Sequence, residues 1–359
     1  MRCTDNSGRR PSYTEREWAR IQTRERRERE RQRRLIAVAA ALFLAVVLLG
    51  FAVYYFVVRS HDYTLTQTYD RTDTVLGIGS SISSGGKAAS FAGELCVSGG
   101  DVNTGAFSLN AHAAGLFDVN GKRTVYAKDI FTKRSPASIT KVMTALVTLK
   151  YGNLDDIVTV TPIVKDIEYG SSVCDIKEGD ILSLRQLLYG MMIASGNDAS
   201  MMIAEHIGGS VDNFVAMMNE EAKAIGATGT HFTNPHGLTD SEHYTTVYDI
   251  YLMMNEALKY DIFQDIISRK NYYAEYTRTD GTSAAVTWET NHYLLGTADS
   301  PDEVVVYGGK TGTTDDAGAC LTLLAKDLYG NPYLSVILHA DSKDTLYAEM
   351  TGLLSLIEV

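Results

Sequence analysis

The 359-residue sequence predicts an α+β domain, helices packed on an antiparallel sheet, carried behind one N-terminal transmembrane helix. Three observations predict it. Residues 35–58 are apolar or aromatic with one glycine and no charge, and residues from about 138 to 259 repeat apolar side chains at helical spacing. After residue 269 the pattern changes to short runs rich in Tyr, Val and Thr with turns between them, which read as antiparallel strands. An early hairpin, a helical middle, late strands and a closing helix are the order of an α+β fold.

The first 34 residues hold 12 Arg and 6 acidic side chains, immediately before the apolar run. As a helix, residues 35–58 reach about 36 Å, enough to cross a bilayer core. A cleaved signal peptide has a shorter apolar stretch and a small-residue cleavage site, and Phe56-Val57-Val58-Arg59-Ser60-His61 offers neither, so the run reads as an uncleaved anchor. Basic flanks stay cytoplasmic. The protein is therefore expected in the cell membrane as a single-pass chain, N-terminus inside, with the remaining 21 basic and 38 acidic residues outside. That acidic exterior argues against nucleic acid as a partner, and the Arg/Glu run of 16–34 reads as a solvated juxtamembrane helix because interleaved Glu lowers its field.

Residues 59–110 are polar, and 77–86 are almost all Gly, Ser and Ile, a composition that reads as a flexible stalk. The globular domain is expected over 111–359. Of four cysteines, Cys3 falls on the cytoplasmic side, which leaves Cys96, Cys174 and Cys320 as one disulfide plus a thiol or as three buried thiols. None has a Cys-x-x-Cys or His-rich companion, so neither a metal nor another cofactor is expected.

The domain opens with apolar residues 111–119, an Asn120-Gly121 turn and residues 123–127, a hairpin signal. From Ser138, Val142, Ala145, Leu146 and Leu149 recur at helical spacing until Gly152. Further helices are expected at about 183–194, 198–208, 212–225 and 245–259, with Met191, Met192, Met201 and Met202 on apolar core faces. Strands follow at 304–307, 319–325 and 333–339, then an amphipathic helix over 344–357.

Three strings carry chemistry. A serine hydroxyl attacks only when a base takes its proton, and a lysine is such a base only when burial or nearby positive charge strips its own proton near neutral pH. In Ser138-Ile139-Thr140-Lys141 the two groups are three apart, on one face of a helical turn, and the helix start offers free N–H groups to a developing oxyanion. Ser195-Gly196-Asn197 falls in a turn between helical runs, where Ser195 could relay a proton and Asn197 could hold both Lys141 and a substrate amide; a plain helix-capping turn is the competing reading. Lys310-Thr311-Gly312-Thr313 follows a strand, and its lysine and hydroxyls suit a carboxylate. Each string alone is weak. Ser84-Gly85-Gly86-Lys87 and Ser108-Leu109-Asn110 fit the first two patterns but sit where neither a helix nor a buried turn is plausible.

Together the strings resemble one family. Ser135-Pro136-Ala137-Ser138-Ile139-Thr140-Lys141, Gly170-Ser171-Ser172, Ser195-Gly196-Asn197-Asp198, His231-Phe232-Thr233-Asn234-Pro235-His236-Gly237-Leu238 and Gly309-Lys310-Thr311-Gly312 are similar to the low-molecular-mass penicillin-binding proteins that are serine-type D-alanyl-D-alanine carboxypeptidases. The resemblance implies a β-lactamase/transpeptidase-like fold from about residue 111 to the end. It implies that Ser138 attacks the D-Ala-D-Ala end of a peptidoglycan stem peptide, with Lys141 as base, Ser195 as proton relay and Asn197 as a substrate-binding residue. Lys310, Thr311, Gly312 and Thr313 would bind the substrate, and the N–H groups of Ser138 and Thr313 would form the oxyanion hole. β-Lactam antibiotics would acylate Ser138 and leave slowly; the lipid bilayer would be a partner through residues 35–58. A β-lactamase shares the strings, and a non-catalytic sensor is a further alternative. His236 is expected to be structural, in a loop distant from the strings. Relatives often carry an arginine for the substrate carboxylate where Leu346 stands, so recognition here rests on Lys310, Thr311 and Thr313, with Lys343 as a candidate addition.

Overall fold

A computed structural model describes residues 93–357, except 103, 104, 106, 291, 292 and 294–297. The expected cytoplasmic segment, the span at 35–58 and stalk residues 59–92 lie outside the described residues. Among the described residues no helix is long and apolar enough to cross a membrane.

The hairpin forms as read, β1 (Ala113–Asp118) antiparallel to β2 (Arg123–Lys128). The late strands β7 (Val304–Thr314), β8 (Gly318–Asp327) and β9 (Pro332–Ala340) join it in one antiparallel sheet, order β2-β1-β9-β8-β7. Side chains alternate across a strand. In β9, Leu334, Val336 and Leu338 enter the helical core, whereas Tyr333 and Ile337 enter a second core on the opposite face with Leu346 and Met350. Both faces are covered, which is why this strand reads as a nearly continuous apolar run.

On one face lie α1 (Lys141–Tyr151), α2 (Leu184–Ile193), α3 (Asn197–Gly208), α4 (Val211–Ala224), α5 (Val247–Ala257) and α6 (Asp261–Ser268). The last helix, α7 (Lys343–Leu354), covers the other. Local caps set the starts: Ser183 and Gln186 form a reciprocal capping box on α2, Thr246 accepts the Asp249 N–H on α5, and Ser342 accepts the Thr345 N–H on α7. Met191, Met192 and Met202 are buried, as apolar helix faces require.

The structure departs from the sequence reading in three places. A second antiparallel sheet exists, β3 (Ile157–Thr159), β4 (Ile181–Ser183), β5 (Asn271–Thr277) and β6 (Ser283–Glu289), two of whose strands are three residues long and leave no periodic trace. α6 follows α5 after a turn at Leu258–Tyr260 that contains neither Gly nor Pro. The folded body also begins before residue 111: Cys96 is fully buried, its N–H donates to Tyr251 Oη at 2.8 Å, and its carbonyl accepts from the Tyr248 hydroxyl at 2.8 Å. Leu109 is buried as well. Two such side chains in a polar stretch are too sparse to lift its average hydropathy. Cys96, Cys174 and Cys320 are all free and buried, the second of the two cysteine alternatives.

Candidate active site

Ser138 lies in a 3-10 turn, Ala137–Thr140, and the α-helix begins only at Lys141. With three residues per turn, positions i and i+3 eclipse, so Lys141 is brought over Ser138 more directly than an α-turn would bring it. Lys141 Nζ is 3.0 Å from Ser138 Oγ, 2.7 Å from Asn197 Oδ1 and 2.9 Å from the His236 carbonyl oxygen.

The Lys141 side chain is completely buried, and its pKa is held well below the usual lysine value, first by burial and then by the positive charge of Lys310. A neutral amine has two N–H groups and one lone pair. The oxygens of Asn197 and His236 can only accept, so they take the two N–H groups and leave the lone pair facing the Ser138 hydroxyl. That is the arrangement of a base poised on a nucleophile.

Ser195 occupies the turn between α2 and α3 with φ of 58°, a left-handed conformation that a residue with a Cβ adopts at a cost of about 1–3 kcal/mol. The conformation aims its hydroxyl at β7, where Lys310 Nζ donates to Ser195 Oγ at 2.9 Å and to the Thr311 carbonyl at 3.0 Å. Gly196 tolerates no side chain, since a Cβ there would lie 2.3 Å from Cys174 Sγ. Asn197 is tied by its own N–H to the Ser172 carbonyl at 2.9 Å. Just beyond it the buried Asp198 carboxylate accepts the backbone N–H groups of Cys174 at 2.8 Å, Ile176 at 3.2 Å and Ala199 at 2.8 Å.

Strand β7 carries Lys310, Thr311, Gly312 and Thr313 along the nucleophile's turn; the string lies within the strand, not after it. A Cβ on Gly312 would sit 2.9 Å from the Pro136 carbonyl oxygen and 2.9 Å from the Ser138 nitrogen, so only glycine allows this approach. The result is a cleft of about 340 Å³ lined by Ser138, Ser172, Ser195, Thr311, Gly312 and Thr313, with Lys343, Asp344, Leu346 and Tyr347 on the α7 side. All eight residues selected from the sequence thus meet at one place: five share the lysine-centred side-chain hydrogen bonds, and Thr311, Gly312 and Thr313 form the wall.

One expectation changes. The His236 loop is not distant from the strings, because its backbone carbonyl binds Lys141; the imidazole itself turns inward and its Nδ1 accepts the Leu238 N–H at 3.2 Å. Leu346 is 2% exposed and belongs to the core beneath α7, so the hydrophobic effect holds it there, while Lys343 stands at the cleft. Sequence reasoning assigned no role to Ser172, Thr140 or His243, and to Asp198 only that of opening a helix in the competing capping-turn reading. Among the described residues, no cluster of three or more His, Cys, Asp or Glu could hold a metal ion.

Burial lowers the Lys310 pKa from 10.5 to about 7. Between those values the unfolded chain holds a proton that the folded chain has released, so stability contributed through this group rises with pH across that window and is lowest below pH 7. Melting temperature followed from about pH 6.5 to 9.5 should therefore climb more steeply for the wild type than for Lys310→Met. Parallel profiles would contradict this assignment.

Residues 101–342 match the family model described as D-alanyl-D-alanine carboxypeptidase. The chain is 32% identical over 256 residues to D-alanyl-D-alanine carboxypeptidase DacF of Bacillus subtilis, covering 70% of this chain and 63% of DacF. It is 32% identical to a D-alanyl-D-alanine carboxypeptidase of Streptomyces sp., covering 56% of this chain and 72% of that one, and 31% identical to DacA of Escherichia coli, of which it spans 54%. Among solved structures, the Streptomyces K15 DD-transpeptidase superposes with a TM-score of 0.65 at 28% identity over 70% of this chain and 97% of that chain. The α+β fold matches that structure.

Proposed function

Since the chain belongs to the D-alanyl-D-alanine carboxypeptidase family, we propose that it removes the terminal D-alanine from peptidoglycan stem peptides through an acyl-enzyme on Ser138. The observation that carries the reading is the fully buried Lys141, whose two N–H groups are occupied by Asn197 and His236 while its remaining side faces Ser138 Oγ at 3.0 Å.

In this mechanism the Ser138 oxygen bonds to the penultimate D-Ala carbonyl carbon as Lys141 accepts the hydroxyl proton. The carbonyl oxygen becomes an oxyanion held by the N–H groups of Ser138 and Thr313. A proton then reaches the leaving nitrogen through Ser195, which Lys310 holds at 2.9 Å, the C–N bond breaks and D-alanine departs. Water adds to the ester, Lys141 again serving as base, and free Ser138 returns. Lys310, Thr311 and Thr313 receive the substrate's terminal carboxylate, and Asn197 its amide. A β-lactam enters by the same acylation, and its ring-opened acyl group stays attached. Residues 35–58 would anchor the protein in the cell membrane, the domain outside, acting on the cell wall.

Mass spectrometry of penicillin-treated protein tests the reading directly. One adduct, confined to the peptide containing Ser138, together with D-alanine release from a D-Ala-D-Ala peptide, is expected. Rapid return of hydrolysed penicillin with no D-alanine release would make the chain a β-lactamase, and an adduct without either turnover would make it a sensor.

A further inference from the structure

The nucleophile's backbone sits in an unusual conformation whose support reaches beyond the three strings. Ala137, immediately before Ser138, has φ of 47°, the left-handed region that side-chain-bearing residues seldom occupy. Its carbonyl oxygen is enclosed on one side by Gly237, where φ is 90° and a Cβ would lie 1.9 Å from that oxygen. On the other side Thr140 Oγ1 donates to it at 2.8 Å.

Thr140 has its own partner. His243 Nε2 lies 2.8 Å from Thr140 Oγ1, and the Thr233 N–H donates to His243 Nδ1 at 3.1 Å. Hydrogen bonds here have one self-consistent direction. A backbone N–H can only donate, so His243 Nδ1 is the acceptor and the ring proton is on Nε2. That proton goes to Thr140 Oγ1, which leaves the threonine hydroxyl proton for the Ala137 carbonyl. Thr140 and His243 are 1% and 2% exposed, so water cannot stand in for either partner. Burial also pushes the His243 pKa down to about 4, which keeps the ring neutral.

We infer that the chain from Thr233 N–H through His243 and Thr140 to the Ala137 carbonyl is a positioning device for the nucleophile, with His243 and Thr140 as positioning residues that hold the Ala137–Ser138 backbone in its attacking geometry. The inference rests on Ser138 being the acylated serine. His243 touches neither substrate nor reacting atoms; it acts through the threonine. The device brings together 233, 243, 140 and 137; the Thr233 N–H sets the tautomer, and the protons passed from His243 Nε2 to Thr140 and from Thr140 to the Ala137 carbonyl are the links on which it depends.

The test is the acylation rate of the full chain with fluorescent penicillin, alongside its melting temperature. Thr140→Val keeps shape and removes the hydroxyl, and Thr140→Ser restores it. His243→Gln keeps an N–H donor at the position of Nε2, whereas His243→Asn keeps only an acceptor near Nδ1. Thr140→Val and His243→Asn should slow acylation about tenfold or more, while Thr140→Ser and His243→Gln stay within about threefold of wild type. Combining Thr140→Val with His243→Asn should slow it no further than Thr140→Val alone, since both act on one carbonyl. Equal acylation by His243→Gln and His243→Asn, or a wild-type rate in Thr140→Val, would overturn the device. If Thr140→Val does not fold, the histidine pair decides by itself, and if neither histidine variant folds the device is overturned as a purely structural feature. Ser138→Ala separates this inference from the reading beneath it: labelling of that variant sinks the nucleophile assignment, whereas its silence with unimpaired Thr140→Val sinks only the device.

Discussion

Replacing Lys141 with alanine is expected to slow acylation of Ser138 by about a thousandfold or more, within the range that loss of a positioned general base produces. The size of the effect follows from burial: no water is on hand at the completely enclosed Nζ position to take over the proton, and neither the Asn197 nor the His236 oxygen is basic enough to do so. Lys141→Arg sharpens the test. Arginine has a long side chain and hydrogen-bond donors, but unlike the neutral Lys141 amine it stays protonated at any working pH, so it can fill the space without accepting a proton. Both variants should fail in stopped-flow labelling with fluorescent penicillin. An Arg variant acylated within about tenfold of wild type would mean that Lys141 acts by charge and position, and that another group takes the Ser138 proton.

The low pKa on which this prediction depends arises from two elements far apart in sequence. Burial is its larger cause, and the Lys310 ammonium adds to it. Lys310 is itself buried, bound to Ser195 and to its own strand's carbonyl. The site therefore encloses two lysines whose pKa values are both lowered, and in the proposed reaction a substrate carboxylate would favour the charged form of Lys310 by giving it an anionic partner. Under the proposed function, substrate binding and base strength would thus be linked through one pair of side chains.

The local part of this design is legible in the sequence and the long-range part is not. The three-residue spacing of Ser138 and Lys141 is a relation within one turn, so it survives as a string, although the turn is 3-10 rather than α. Helix starts at Ser183, Thr246 and Ser342 are legible for the same reason, each cap acting on an N–H three residues ahead. By contrast the bond from Lys310 to Ser195 spans 115 positions and that from Lys141 to Asn197 spans 56. Only the resemblance to a family joins them; periodicity is silent. His243 lies in a polar loop with no helical or strand pattern, and nothing local shows that its ring is buried against Thr140. The short strands β3 and β4 are missed because three residues complete barely one alternation.

Asp198 presents the largest stability effect among these contacts. In the sequence it reads as an acid opening a helix, where it would favour the positive end of the helix dipole at the surface. In the fold it is 2% exposed, and its carboxylate is the acceptor for three backbone N–H groups, two of them from the segment that carries Ser172 and Cys174. Burial raises its pKa while those N–H groups pull it down, and among the described residues no salt bridge is made to the carboxylate. Asp198→Ala leaves the Cys174, Ile176 and Ala199 N–H groups without acceptors in the interior, each worth about 1–3 kcal/mol, and total destabilisation of about 3–5 kcal/mol is expected. Denaturant melts of the full chain measure it. Because Ser172 holds Asn197 by a single backbone bond, the same change should loosen Asn197 and lower acylation even where the domain remains folded. Asp198→Asn separates the two effects: it keeps one carbonyl oxygen for Cys174 and Ala199 but turns an amide N–H toward Ile176. It should therefore recover part of the stability and part of the rate together. A variant that recovered full stability with no gain in acylation would show that the carboxylate braces the fold without positioning Asn197.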